Sequence, residues 1–144
     1  MVLYIQRFPQ LLLITLLIGC TSQKKENPDL LIGDFQDDYN IEYHLSRESF
    51  TLKPESHFKI LEWNIDKQHF IAQNDSSNNF DPNLFSRIDW VVLDDMNPYE
   101  WAFCLSAYNA PSVDSAKNVK VADRSMLKTG CNGYPFSRMK PIDK

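Results

Sequence analysis

The sequence predicts an all-β fold: a small up-and-down barrel, closed or partly open, with six to eight strands and at most one short helix. Three observations lead there. Apolar and polar residues alternate with period two in several short runs, the pattern of half-buried strands. Clusters of turn-forming residues separate those runs at regular spacing. The chain has only four glycines, and no stretch carries a strong helical stripe. Short turns between neighbouring strands favour a meander over a Greek key, and a meander closes most simply as an up-and-down barrel.

The strands begin after Gly33. In residues 40–45, Ile41, Tyr43 and Leu45 alternate with Asn40, Glu42 and His44. A turn at 46–49 leads to a short strand at 50–52. Residues 57–65 and 69–74 form the best hairpin, turning at Asp66-Lys67. That register sets Trp63 opposite Phe70 and Leu61 opposite Ala72, two apolar cross-strand pairs. Residues 74–83 (NDSSNNFDPN) are rich in turn formers and read as an exposed loop. In 85–93, Ser86, Ile88, Trp90 and Val92 alternate with Phe85, Arg87, Asp89 and Val91. After a turn at 94–98, residues 99–108 form a long aromatic strand with Trp101, Phe103 and Cys104. Residues 113–121 suit a short helix starting near Ser112 or Ser115. A tight turn at 130–133 precedes a last strand at 134–139.

The amino terminus has a different character. Arg7 supplies a positive start, residues 11–18 are an apolar run, and small Gly19 precedes Cys20. This is the layout of a secretory signal peptide, and the run is too short to span a bilayer. Leu17-Ile18-Gly19-Cys20 resembles the lipobox of bacterial lipoproteins. The resemblance implies cleavage before Cys20, acylation of that cysteine and a membrane as partner. Thr21, where many inner-membrane lipoproteins have aspartate, points to the outer membrane, on its periplasmic face or at the cell surface. The expected organisation is a leader at 1–19, a flexible polar tether at 20–30 and a single β domain at 31–144.

Removing residues 1–19 leaves 125, enough for one domain with a real core. The whole chain carries a formal charge of −4. The bases after residue 108 are scattered, so they read as ordinary solvated surface. The acidic balance and the exported compartment both argue against nucleic acid as a partner. With Cys20 acylated, Cys104 and Cys131 remain in an oxidising compartment that favours their pairing; the alternative is two buried thiols.

Residues 71–75, 87–90, 104–108 and 130–136 resemble, in that order, a group of small exported proteins of Gram-negative bacteria, several of them lipoproteins. The likeness covers roughly 40–141. It implies no activity, but the paired cysteines of that group fall at Cys104 and Cys131. A looser similarity is to lipocalins, exported barrels that bind apolar molecules. Their opening Gly-x-Trp corresponds to Gly33-Asp34-Phe35, with phenylalanine in place of tryptophan.

Chemistry-bearing residues are few. No GxSxG elbow sets a serine against a base. His44 near Glu42 reads as a surface pair. His44, His57 and His69 have no metal-ligand spacing with the cysteines. No catalytic residue, cofactor or metal is therefore expected. Trp63, Trp90, Trp101 and Phe103 either line a cavity for an apolar ligand or fill the core, as large aromatics ordinarily do. Arg87 and Asp89, two apart on one strand face beside Trp90, are either the polar anchor of that cavity or a structural ion pair. As an anchor, Arg87 would hold an acidic headgroup through two parallel hydrogen bonds. The expected function is a non-enzymatic binding module for a small apolar or amphipathic ligand. The alternative is an envelope or surface protein that recognises another macromolecule and has no pocket.

Overall fold

Eight antiparallel strands close into a barrel in strict sequence order, the architecture the sequence predicts. A computed structural model describes residues 28–142. The leader, Cys20 and residues 20–27 of the expected tether lie outside the described residues. The strands are β1 (Gly33–Gln36), β2 (Glu42–Leu45), β3 (Ser49–Leu52), β4 (Ser56–Asn64), β5 (His69–Asn74), β6 (Phe85–Val92), β7 (Trp101–Ala110) and β8 (Ser137–Pro141). One short helix, α1 (Val113–Lys117), follows β7. Ser112 caps it by accepting a hydrogen bond from the Ser115 backbone N–H.

Side-chain alternation sends one residue set inward. Phe35, Tyr43, Leu45, Phe50, Ile60, Phe70, Ile88, Trp90, Trp101, Phe103 and Met139 form a continuous buried cluster. Gly33 opens β1. The β4–β5 hairpin turns about Asp66-Lys67, with the Gln68 N–H bonded to the Ile65 carbonyl at 3.1 Å, and Trp63 faces Phe70 as expected. The expected Leu61–Ala72 pair does not form. A bulge between Ile60 and Glu62 sets Ile60 opposite Ala72 and turns Leu61 to solvent. Pro28–Leu31, across the expected junction of tether and domain, is a 3-10 turn whose Leu31 joins the interior cluster.

Because the strands run alternately up and down, their connections alternate between two rims. The chain enters at one rim, together with the turns at 46–48, 65–68 and 93–100. This end is closed by Leu31, Trp63, Trp90 and their neighbours; the Trp63 and Trp90 ring centroids lie 5.6 Å apart. The other rim carries the connections at 37–41, 53–55 and 75–84 and the start of the long β7–β8 connection.

That long connection is a strap down the outside of the barrel. Ala116 packs with Ile71 and Ala110, while Ala122 and Phe136 pack with Ala102 and Cys104. Cys131 and Cys104 are bonded in a disulfide that ties the returning strap to β7. The turn after Cys131 takes Asn132 and Gly133 through positive φ. Gly130 is required for a different reason: a Cβ there would sit 1.9 Å from the Asp123 carbonyl oxygen. The strap lets β6 bury both faces, so Arg87 and Asp89 are covered although they point away from the barrel axis.

Candidate functional site

The open rim leads into a cavity of about 270 Å³. Tyr43, Phe50, Leu52 and Phe58 from β2 to β4 form one side, and Phe103 and Leu105 of β7 face them. Cys131 and Pro135 of the strap complete the wall, so the disulfide holds one side of the cavity in place. The rings pack on one another: Phe50 lies 5.3 Å from Phe103 and 5.8 Å from Tyr43, centroid to centroid.

One acid stands behind this wall. Asp37, only 2% exposed, accepts hydrogen bonds from the backbone N–H groups of Tyr39 and Ile41 and from the Tyr43 hydroxyl, the last at 3.0 Å. Burial, with the Asp37 charge beside it, raises the Tyr43 phenol above its ordinary range and keeps its proton in place. Among the described residues no ion pair involves Asp37, whereas its neighbour Asp38 pairs with Arg138 at 2.7 Å. That contact, first through its hydrogen bond, holds the Asp38 carboxyl below the usual carboxylate range.

The ligand set expected from sequence is divided by the barrel wall. Trp63, Trp90 and Trp101 fill the closed end, and of the six residues only Phe103 lines the cavity. Trp101 Nε1 is buried there with no hydrogen-bond partner among the described residues. Arg87 and Asp89 are not a polar anchor within the cavity. They lie on the outer face of β6, because strand alternation that points Ile88 and Trp90 inward must point these two outward.

Under the strap, Asp89 is fully buried and accepts from two guanidinium groups. Arg87 Nη2 and Arg124 Nη2 each donate to Asp89 Oδ1 at 2.9 Å, and the Ser106 hydroxyl donates to Oδ2. Arg87 Nε also donates to the Asp89 carboxylate, while other donors hold main chain: Arg87 Nη1 bonds the Lys117 carbonyl, and Arg124 Nε bonds that of Trp90, both at 2.8 Å. These side chains fasten the strap at mid-height and at the closed rim, where Arg124 also meets the Gln68 carbonyl. The ion-pair reading of Arg87 and Asp89 is therefore the one realised, and Arg87 holds the Lys117 carbonyl besides.

His69 lies across from Asp89 in the β5–β6 register. Burial, then the charge of Arg87, lowers its pKa below the ordinary histidine value. His44 takes Asp34 as its partner at 3.0 Å, rather than Glu42. Gln73, Asn74 and Asp75 serve the β5–β6 loop; Asn74 Nδ2 bonds the carbonyls of Asp81 and Tyr108 at 2.8 Å. Among the described residues no group of three or more His, Cys, Asp or Glu side chains is placed to hold a metal ion.

Sequence reasoning missed most of the cavity and most of the buried network. The alternation that turned Tyr43 inward was visible, as were Phe50 and Phe58 on short strands, but nothing local tells which end of a barrel stays open. Arg124 and Ser106 stand 35 and 17 positions from Asp89, with no periodic signal to connect them. Comparisons with protein-family models, curated proteins and solved structures returned no match.

Proposed function

We propose that this chain is a lipoprotein anchored through acylated Cys20, in the outer membrane of a cell envelope, and that its barrel is a non-enzymatic module binding a small apolar or amphipathic ligand. The cavity at the open rim carries the binding part of this reading. Its volume of about 270 Å³ is just under the ~300–1,000 Å³ range of ligand pockets, so it suits a short chain or a compact group. The anchoring part rests on the lipobox resemblance.

The binding test uses N-phenyl-1-naphthylamine, a probe whose fluorescence rises in apolar surroundings. The expected result is saturable binding that Leu105→Trp abolishes by filling the cavity, with the thermal unfolding midpoint kept. Wild-type protein without saturable binding would remove the reading.

One observation favours the macromolecular alternative. The open rim exposes two large aromatic side chains, Phe80 at 83% and Tyr39 at 79%, and Tyr134 of the strap, next to the cavity-lining Pro135, is 72% exposed. Exposed aromatics are enriched in protein-recognition surfaces. The two readings part at the cavity, since recognition by the rim alone needs no probe to enter it.

A further inference from the structure

We propose that the ligand group held by the open-rim cavity is a quaternary ammonium or a similar cation without N–H donors. This names the ligand class for the binding reading and rests on it. The inference comes from what the walls offer and what they lack. Four aromatic rings, Tyr43, Phe50, Phe58 and Phe103, contribute to one cavity. The face of an aromatic ring is the negative end of its quadrupole, so a ring that turns its face to this space attracts a weakly hydrated cation. Asp37 adds a formal negative charge behind Tyr43, joined to its hydroxyl at 3.0 Å, and no ion pair among the described residues neutralises it.

The same walls are poor hosts for the other headgroups. Among the described residues no lysine or arginine lines the cavity, and the arginine once available for a carboxylate, Arg87, is committed to Asp89 outside the barrel. An acidic ligand would bring its charge to a site with no cation and an acid nearby. A primary ammonium carries three donors that must each find an acceptor. Among the described residues the side-chain oxygens of this wall are the Tyr43 and Ser137 hydroxyls, two acceptor atoms for three donors. A trimethylammonium group makes no such demand. It presents methyl groups to the rings and needs only the field.

Three probes of equal chain length separate the possibilities: hexyltrimethylammonium, 1-hexanol and hexanoate. The full-length protein is titrated with each in zwitterionic phosphatidylethanolamine nanodiscs, whose surface neither gathers the cation nor repels the carboxylate. Binding is read from the backbone amide resonances of Tyr43, Phe50 and Phe103, so adsorption to the lipid does not register. The expected order is hexyltrimethylammonium tightest, hexanol several-fold weaker and hexanoate weakest. Phe58→Leu keeps an apolar wall and removes a ring face; it is expected to weaken the cation by about threefold to thirtyfold, the range of a cation–π contact, and hexanol by less than twofold. Tyr43→Phe, which cuts the link to Asp37, should also weaken the cation selectively. Equal affinity for cation and alcohol, or preference for hexanoate, would overturn the inference and leave the binding reading standing. Failure of all three probes to shift these resonances would overturn both.

Discussion

Two guanidinium groups on one fully buried carboxylate make Asp89 the centre of the buried network under the strap. Breaking a buried ion pair is severe because the surviving charge stays desolvated, typically ~3–5 kcal/mol. Asp89→Asn leaves two cations facing each other and is expected to fall in that range. Arg87→Gln leaves Asp89 with Arg124 and should cost less; Arg124→Gln, on a side chain 21% exposed, should cost least. Urea unfolding of the three variants checks the order, and an Arg87→Gln protein as stable as wild type would contradict this account of the network. Gly130 makes a separate residue-scale case. Its missing Cβ is what lets the Asp123 N–H reach the Gly130 carbonyl at 2.9 Å, so Gly130→Ala must push two backbone segments apart. A loss of about 2 kcal/mol is expected by the same unfolding assay, as in other overpacked sites.

At the scale of elements, the strap decides both what is stable and what could be read in advance. The disulfide closes a separation of 27 residues, worth about 3.5 kcal/mol in the chain-entropy account. Cys104→Ala should lose a few kcal/mol and leave one thiol reactive to an alkylating reagent. The strap also buries His69 beside Arg87, Asp89 and Arg124, and this makes stability depend on pH. Its folded pKa lies below the unfolded value near 6.5, so the unfolded chain binds the proton more readily. His69 therefore contributes fully above about pH 6.5, and the contribution is lost as pH falls from there toward the lowered folded value. Denaturant titrations between pH 7.5 and 5 should show stability declining with acid, and His69→Gln should flatten the slope. The strands themselves were legible because period-two alternation reports a single buried face. Alternation says less wherever more than one face is buried or the phase shifts. On β6 both faces are buried, so alternation separated Arg87 and Asp89 from Trp90 without telling which set faced the barrel. At Leu61 one extra residue shifted the phase, and a bulge has no signature in apolar spacing. The strap's contacts are long-range and aperiodic, so only its helix cap and its tight turn were foreseeable.

For the whole molecule, the relation between chain entry and cavity mouth sets an orientation. Residue 28 enters at the closed rim, opposite the cavity and its exposed aromatics. The proposed anchor, Cys20, precedes it by eight positions, which span at most ~28 Å when extended. An acyl-anchored barrel so tethered holds its closed end toward the bilayer and its mouth toward the aqueous side or a facing partner. Anchoring comes first in the test: wild type should enter the detergent phase, because stable anchoring needs more than one acyl chain or signal, and Cys20→Ala should stay in the aqueous phase. Orientation follows from paramagnetic relaxation, with a gadolinium-chelating lipid in the nanodisc that carries the full-length protein. Amide signals from the turns at 46–48 and 65–68 should broaden strongly, and those from 75–84, around Phe80, should broaden least. The reverse gradient would set the mouth against the membrane and make Tyr39, Phe80 and Tyr134 lipid contacts, drawing the ligand from the bilayer. The expected gradient leaves those side chains free to meet a ligand, or a partner bearing one, arriving from the other side.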